Sequence, residues 1–258
     1  MAIDFEVSAD GVALITINRP ERLNAMDAEH YQGLSRAWCR VRDEAAIRVA
    51  IITGAGEKSF TTGADIKSFL TAPTGLSEMW LTQRDQLLNR GLEVWKPVIA
   101  AVNGYCLGGG TTLLLATDIR VASPNATFSL AEVKRGVIPA NGGTQRVLDQ
   151  LPYPIAMEML LTGDGIDAAT AERWGLINKI VPQADLLDTA FAYARKIAAN
   201  APLAVQAAKE LALRSRDLDI NSGLRLEAVL NRMLMQTEDA KEGPAAFSAK
   251  RAPQFKGQ

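Results

Sequence analysis

Residues 102–118 read VNGYCLGGGTTLLLATD, a run of small and aliphatic side chains interrupted by three consecutive glycines at 108–110. Directly after them, residues 111–117 have the composition of the first turns of a buried helix. Glycine inside regular structure is unfavourable by roughly 0.5–1 kcal/mol relative to alanine. Three in a row at a helix entrance therefore mark a tight turn, or a place where something must come close to bare backbone.

Working outward, VALITIN (12–18), RVAIITG (48–54), VIAAVNG (98–104) and DIRVAS (118–123) are short, β-branched, nearly continuous apolar runs ending in turn residues. That is the pattern of strands covered on both faces. Helical patterns separate them: residues 27–42 open with the cap candidate Asp27, and 76–95 carry apolar residues at three- and four-residue steps. Strand alternating with helix predicts an α/β architecture. From about residue 200 strand candidates disappear and strong helix formers take over. The chain thus divides into a core of residues 1–199 and an all-helical region of residues 200–258. The apolar positions Leu224, Val229, Met233 and Met235 exceed what a short helix pair hides by itself. They are expected to pack on the main domain or on another subunit. No internal repeat or low-complexity linker is visible.

The 258 residues include 28 basic and 29 acidic side chains, so bulk charge gives no argument for a nucleic-acid or membrane partner. Two cysteines, Cys39 in a helical pattern and Cys106 in an apolar run, support neither a disulfide framework nor a cysteine metal site. The N-terminal MAIDFEVSADG lacks a basic segment followed by an apolar one, and no stretch reaches about 18 uninterrupted apolar residues. A cytoplasmic location is expected.

Several motifs compete for a chemical role. GAGEKS (54–59) follows a strand, but a Walker loop needs glycine directly before the lysine, where Glu57 stands, and Ser59 occupies the third glycine of a dinucleotide fingerprint. A strand-end turn accounts for it better. Gly104-Tyr-Cys106-Leu-Gly108 has the form of a nucleophile elbow. Its base would have to be His30, the sole histidine, which reads as an exposed helical residue, and Cys106 reads as a small buried filler. Acid–base chemistry must then come from a carboxylate, lysine or tyrosine. Glu132, in SLAEVKRGVI, has apolar neighbours Leu130, Ala131, Val133, Val137 and Ile138 that would raise its pKa. From this segment alone, a surface carboxylate paired with Lys134 or Arg135 is an equal alternative.

Three segments together resemble the crotonase family, also called the enoyl-CoA hydratase/isomerase family: KSFTTGADIKSF (58–69), KPVIAAVNGYCLGGGTTLLLATDIRVAS (96–123) and ATFSLAEVKRGVIPANGGTQR (126–146). NRPERLNAMD (18–27) and EDAKEGPAAFSAKRAPQFKGQ (238–258) extend the likeness over essentially the whole chain. The resemblance implies an α/β fold: a crotonase-type spiral of ββα units with a C-terminal helical trimerisation region, the trimers often pairing into hexamers. It implies an acyl-CoA thioester substrate whose carbonyl enters an oxyanion hole made by the backbone N–H groups of Ala64 and Gly109. A helix N-terminus there would favour developing negative charge. Glu132 matches a family catalytic glutamate.

One departure stands out. Family hydratases with a two-carboxylate site carry a second glutamate where this chain has Thr112, which can hold water but cannot take its proton at neutral pH. Hydration of a 2-enoyl-CoA by Glu132 alone, with Thr112 as the water or hydroxyl anchor, is the leading expectation. Double-bond isomerisation, which one glutamate can perform by removing and returning a proton, is the alternative. A catalytically dead acyl-CoA-binding scaffold is a third. The acidic positions of dienoyl-CoA isomerases fall on Thr112 and Ala140 here, which argues against that subclass. For CoA, the resemblance implies Arg22, Ile66, Lys67, Phe247 and Lys250, the last two three residues apart on one helical face. No separate cofactor is expected, CoA being part of the substrate. Asn141, where alanine is common in family hydratases, has no role assignable from sequence.

Overall fold

The computed structural model describes residues 1–69 and 86–258. Two sheets carry the fold. The larger contains β1 (Ile3–Val7), β2 (Val12–Ile17), β3 (Val49–Gly54), β5 (Val98–Val102), β7 (Ile119–Ala122) and β10 (Lys179–Ile180) in that spatial order. All neighbours are parallel except β1 with β2. The smaller sheet contains β4 (Ser59–Thr61), β6 (Tyr105–Leu107), β8 (Thr127–Ser129) and β9 (Ile166–Asp167), again in that order. Each apolar run quoted above therefore forms a strand of the larger sheet, with ends shifted by a residue or two.

The chain winds as a repeat: β3 then β4, β5 then β6, β7 then β8, each passage giving one strand to each sheet before a helical segment. No repeat is visible in sequence, because what recurs is the turn between sheets. Gly104, with φ of 151°, makes one such turn, and a side chain there would collide with the Lys58 backbone.

Alternation along the larger sheet builds two cores. Ile15 and Ile17, Ala50 and Ile52, and Val98, Ala100 and Val102 face the smaller sheet and meet Phe60, Cys106 and Phe128. Val12, Val49, Ile51, Ile99, Ala101 and Val121 face the other way. They are covered by Leu186, Ala190, Ala194 and Ala198 of α7 (Leu186–Ala198). A buried side chain of this size is worth roughly 1.5–3 kcal/mol, which is why continuously apolar strands need cover on both faces.

The remaining helices are α1 (Ala28–Asp43), α2 (Ile66–Phe69), α3 (Gly109–Leu114), α4 (Gly143–Gln150), α5 (Tyr153–Thr162), α6 (Ala168–Arg173), α8 (Pro202–Arg214), α9 (Ile220–Leu234) and α10 (Glu238–Ser248). Asp27 caps α1 as expected, accepting from the Glu29 and His30 amides. His30 itself is a correction: it is buried, 4% exposed, with Nδ1 2.7 Å from Asp27 Oδ1. It belongs to the stripe His30, Leu34, Ala37, Trp38, Val41 that packs inward, a spacing the polar side chain disguised. Most of the helix expected over 76–95 lies outside the described residues, and 86–95 hold only a 3-10 turn, Leu88–Arg90, ended by Gly91. Among the described residues no helix is long and apolar enough to cross a membrane.

Candidate active site

The glycine triplet sits where β6 gives way to α3. Thr111 fixes that entrance, its buried hydroxyl donating to the Cys106 and Ser129 carbonyls at 2.6 and 2.9 Å. Gly108 adopts φ of 55°, a left-handed conformation that only glycine enters cheaply. Gly110 abuts the Thr61 carbonyl and has no room for a side chain. Gly109 is different, because a Cβ there would clash with nothing. It would lie 3.4 Å from Gly63 Cα and 3.7 Å from the Ala64 nitrogen, in the space between the two backbones.

The segment following β4 brings Ala64 to this place through an isolated bridge to Met26. Met26 N–H donates to the Gly63 carbonyl and Asp65 N–H to the Met26 carbonyl, both at 2.8 Å, so that the intervening Ala64 N–H is left out of the ladder. Arg19 ties the same segment down, its Nη1 2.9 Å from Asp65 Oδ2 and 3.3 Å from Asp27 Oδ2. Gly109 is the first residue of α3, where amide N–H groups have no intrahelical acceptor. Two amides on adjoining segments can thus serve one oxygen.

Glu132, on the 3-10 turn Ala131–Arg135 after β8, puts Oε1 3.3 Å from the position of a Cβ at Gly108. Its Oε2 is buried without a protein partner. The surface pairing that sequence left open does not form through Lys134, which binds Asp164. Arg135 Nη1 instead donates to the Ala131 carbonyl. Burial pushes the Glu132 carboxyl up, against smaller opposing effects of its own backbone N–H and the Arg135 charge. The direction agrees with expectation; of the apolar neighbours named for it Leu130 is buried, whereas Val137 and Ile138 are exposed, 59% and 72%, and cannot supply the cover.

Thr112 lies one turn into α3 and is buried, its Oγ1 also without a protein partner. A side chain at Gly143 would fall 2.5 Å from that oxygen, so Gly143 keeps the space beside it open. Two orphaned buried oxygens near two exposed-to-the-turn amides mark a polar cluster that the protein does not satisfy internally. Cys106, by contrast, is fully buried and its thiol is pushed up to about 12 by that burial, which suits a filler and not a nucleophile.

Residues 8–258 match the family described as enoyl-CoA hydratase/isomerase. The chain belongs to that family. It is 44% identical to (E)-benzylidenesuccinyl-CoA hydratase of Thauera aromatica over the whole of both chains, and 40% identical to carnitinyl-CoA dehydratase of Proteus mirabilis over 94% of each. Its fold matches crystallised enoyl-CoA hydratases: that from Bacillus anthracis superposes with a TM-score of 0.92 at 34% identity, and that from Mycobacterium tuberculosis with 0.91 at 37%, each over essentially complete chains.

The residues that family likeness links to CoA are only partly brought together. Arg22 ends a 3-10 turn, Pro20–Arg22, in the loop whose Arg19 grips Asp65, and exposed Ile66 and Lys67 follow on α2. Phe247 and Lys250 lie elsewhere. Phe247, 87% exposed, is on α10, which is held by the C-terminal tail, and Arg48 at the start of β3 donates to the Phe255 carbonyl of that tail. The proposed common helical face is a correction too, because α10 ends at Ser248 and Lys250 turns left-handed with φ of 52°.

Sequence reasoning passed over Tyr31, a neighbour of the glycine turn, and Arg90, a neighbour of Tyr31. The Tyr31 hydroxyl lies 3.8 Å from the position of a Gly109 Cβ, and Arg90 stands 5.9 Å from the Tyr31 ring centroid. No motif announces either residue.

Proposed function

We propose that the protein is a CoA-thioester hydratase of the enoyl-CoA hydratase/isomerase family, adding water across a 2-enoyl-CoA to give a 3-hydroxyacyl-CoA, or running the reverse dehydration. The observation that carries this reading is the partly buried Glu132 carboxylate, with a partnerless oxygen, set against the turn that presents Gly109 opposite Ala64. The thioester oxygen would accept from both amides, which hold the enolate charge that develops when the β-carbon is attacked. Glu132 takes the proton of the attacking water and passes one to the α-carbon, its raised pKa bringing it nearer the operating pH. Thr112 Oγ1 anchors the water or the product hydroxyl. The relatives named for benzylidenesuccinyl-CoA and carnitinyl-CoA point the same way, since both names describe hydration or its reverse.

CoA would lie along Arg22, Ile66 and Lys67. Phe247 and Lys250 would join it only from a second copy of the chain, in keeping with a trimer or hexamer held through the apolar positions of α9 and α10. Isomerisation remains the second reading on one observation, that Thr112 supplies no second carboxylate. Incubation with a 2-enoyl-CoA and, separately, a 3-enoyl-CoA decides between them. A 3-hydroxyacyl product from the first supports hydration, and double-bond migration from the second without hydration of either overturns it.

A further inference from the structure

The space that the glycine turn leaves open has a third side. The atoms nearest to the position of a Cβ at Gly109 are Gly63 Cα at 3.4 Å, the Ala64 nitrogen at 3.7 Å and the Tyr31 hydroxyl at 3.8 Å. Two of these are backbone, and the phenol oxygen is the one side-chain atom among them. It comes from α1, which the chain ties to the Ala64 segment. Met26, the residue before the Asp27 cap, donates to the Gly63 carbonyl and accepts from the Asp65 N–H, at 2.8 Å each. Arg19 bridges the same two pieces, its Nη1 reaching Asp27 Oδ2 at 3.3 Å and Asp65 Oδ2 at 2.9 Å. Tyr31 follows one helical turn on, its N–H donating to the Asp27 carbonyl at 3.1 Å. The phenol and the Ala64 amide are thus carried on one cross-linked stretch of backbone.

The fold itself makes no use of that hydroxyl. Burial pushes the Tyr31 phenol up; the Arg90 charge opposes this, the Glu132 charge adds to it, and no hydrogen bond among the described residues bears on it. A phenol whose proton is held this firmly is a hydrogen-bond donor at neutral pH and a poor source of transferred protons. The ring is otherwise well kept: it packs on the main core, and the Arg90 guanidinium lies 5.9 Å from its centroid. Phenylalanine would meet both of those needs, so the oxygen calls for a use of its own. The influence of Glu132 also puts the phenol within electrostatic reach of the group that handles the proton of the attacking water.

We propose that Tyr31 is a catalytic residue, its hydroxyl donating a third hydrogen bond, beside the Ala64 and Gly109 amides, to the thioester oxygen of the substrate. The assignment rests on the acyl-CoA reading given above. An oxygen placed where a Gly109 side chain would lie stands within about 1 Å of hydrogen-bond range of the phenol. The O–H bond stays intact throughout: negative charge grows on the thioester oxygen as water adds to the β-carbon and leaves it again when the α-carbon is protonated. A donor already in place needs no reorganisation at the moment that charge develops. The arrangement also answers the loss of a second carboxylate. With threonine at 112, Glu132 runs both proton transfers alone, and the enolate must outlast the interval between them, which firmer stabilisation of its oxygen allows.

Infrared difference spectroscopy of the full-length protein reads that oxygen directly. Butyryl-CoA labelled with ¹³C at the thioester carbonyl has no double bond to hydrate, and in the wild type its C=O band should fall below that of the free thioester. Tyr31→Phe keeps the ring and should lose part of that fall, while calorimetric affinity for butyryl-CoA changes by less than about tenfold. Its kcat on a 2-enoyl-CoA should drop about 10–100-fold with KM changed far less, as expected for a bond that strengthens as charge develops. The full wild-type band shift in Tyr31→Phe overturns the proposal whatever becomes of kcat, since the hydroxyl would then act on something other than the thioester oxygen. A band shift that depends on Tyr31 in a protein that hydrates no enoyl-CoA would remove the hydratase reading and leave this one standing. No band shift in the wild type would take the thioester out of the site and overturn both.

Discussion

Glu132 concentrates the conflict between folding and chemistry in one side chain. Its carboxyl is raised by burial, so the folded state binds that proton more tightly than the unfolded chain does. Stability from this group is therefore fully present below the ordinary carboxylate value and is lost as pH rises through the raised one. The neutral isostere escapes the cost: Glu132→Gln should have a higher Tm than the wild type at pH 7, with the gap closing on acidification towards about pH 4. A lower Tm at neutral pH, measured by scanning calorimetry, would mean that the carboxylate is satisfied and the orphaned oxygen misread. Activity should move the other way. Because the base must be ionised, the acid limb of the kcat/KM profile should lie above the ordinary glutamate range, and a limb at or below that range would contradict the burial argument.

At the scale of elements, the entrance to α3 separates glycines that shape the fold from the one that shapes the site. Gly109→Ala places its Cβ in ordinary contact distance of Gly63 and beside the Ala64 nitrogen, without entering a left-handed conformation. Alanine is favoured over glycine in a helix by about 1 kcal/mol. The variant should keep or raise its Tm yet lose about 10²–10³-fold in kcat through the blocked amide pair. Gly108→Ala, strained at φ of 55° and 3.3 Å from Glu132 Oε1, should lose both stability and activity. Circular dichroism melts run beside kinetics would show whether the two variants part in this way.

The strands β2, β3, β5 and β7 of the larger sheet, α1 with its Asp27 cap and the C-terminal helices were legible because each is announced by its own residues: β-branched runs, an acidic cap, a stretch of helix formers. The triplet announced a tight turn or a close approach to bare backbone, and both are present: the turn requires glycine at 108 and 110, while Gly109 has room for a side chain. What stayed hidden was set by contacts distant in sequence. His30 pairs with Asp27 inside a packed stripe, Tyr31 reaches Gly109 from α1, and Arg90 is fixed by Asn141 some 50 positions away. The small strands β9 and β10, two residues each, are defined by their neighbours rather than by any pattern of their own.

Across the whole molecule, the apolar surface is unevenly spread. Ile220, Leu224, Val229, Met233 and Met235 are all more than two-fifths exposed on or just after α9, and Phe247 stands out from α10. Association with another copy of the chain would cover apolar side chains left exposed in this way. Light scattering in solution should give a mass that is a multiple of 27.8 kDa, three- or six-fold, and a monodisperse monomer at micromolar concentration would leave that face unexplained. The account as a whole stands on one event, water adding to a thioester-conjugated double bond under the control of Glu132. Its most direct test supplies a 2-enoyl-CoA in ¹⁸O-labelled water and follows label by mass spectrometry. The wild type should place one labelled oxygen in a 3-hydroxyacyl-CoA, and Glu132→Gln should do so about 10²–10⁴-fold more slowly while still binding the thioester. Incorporation at an undiminished rate in the variant, or none in the wild type, would contradict it.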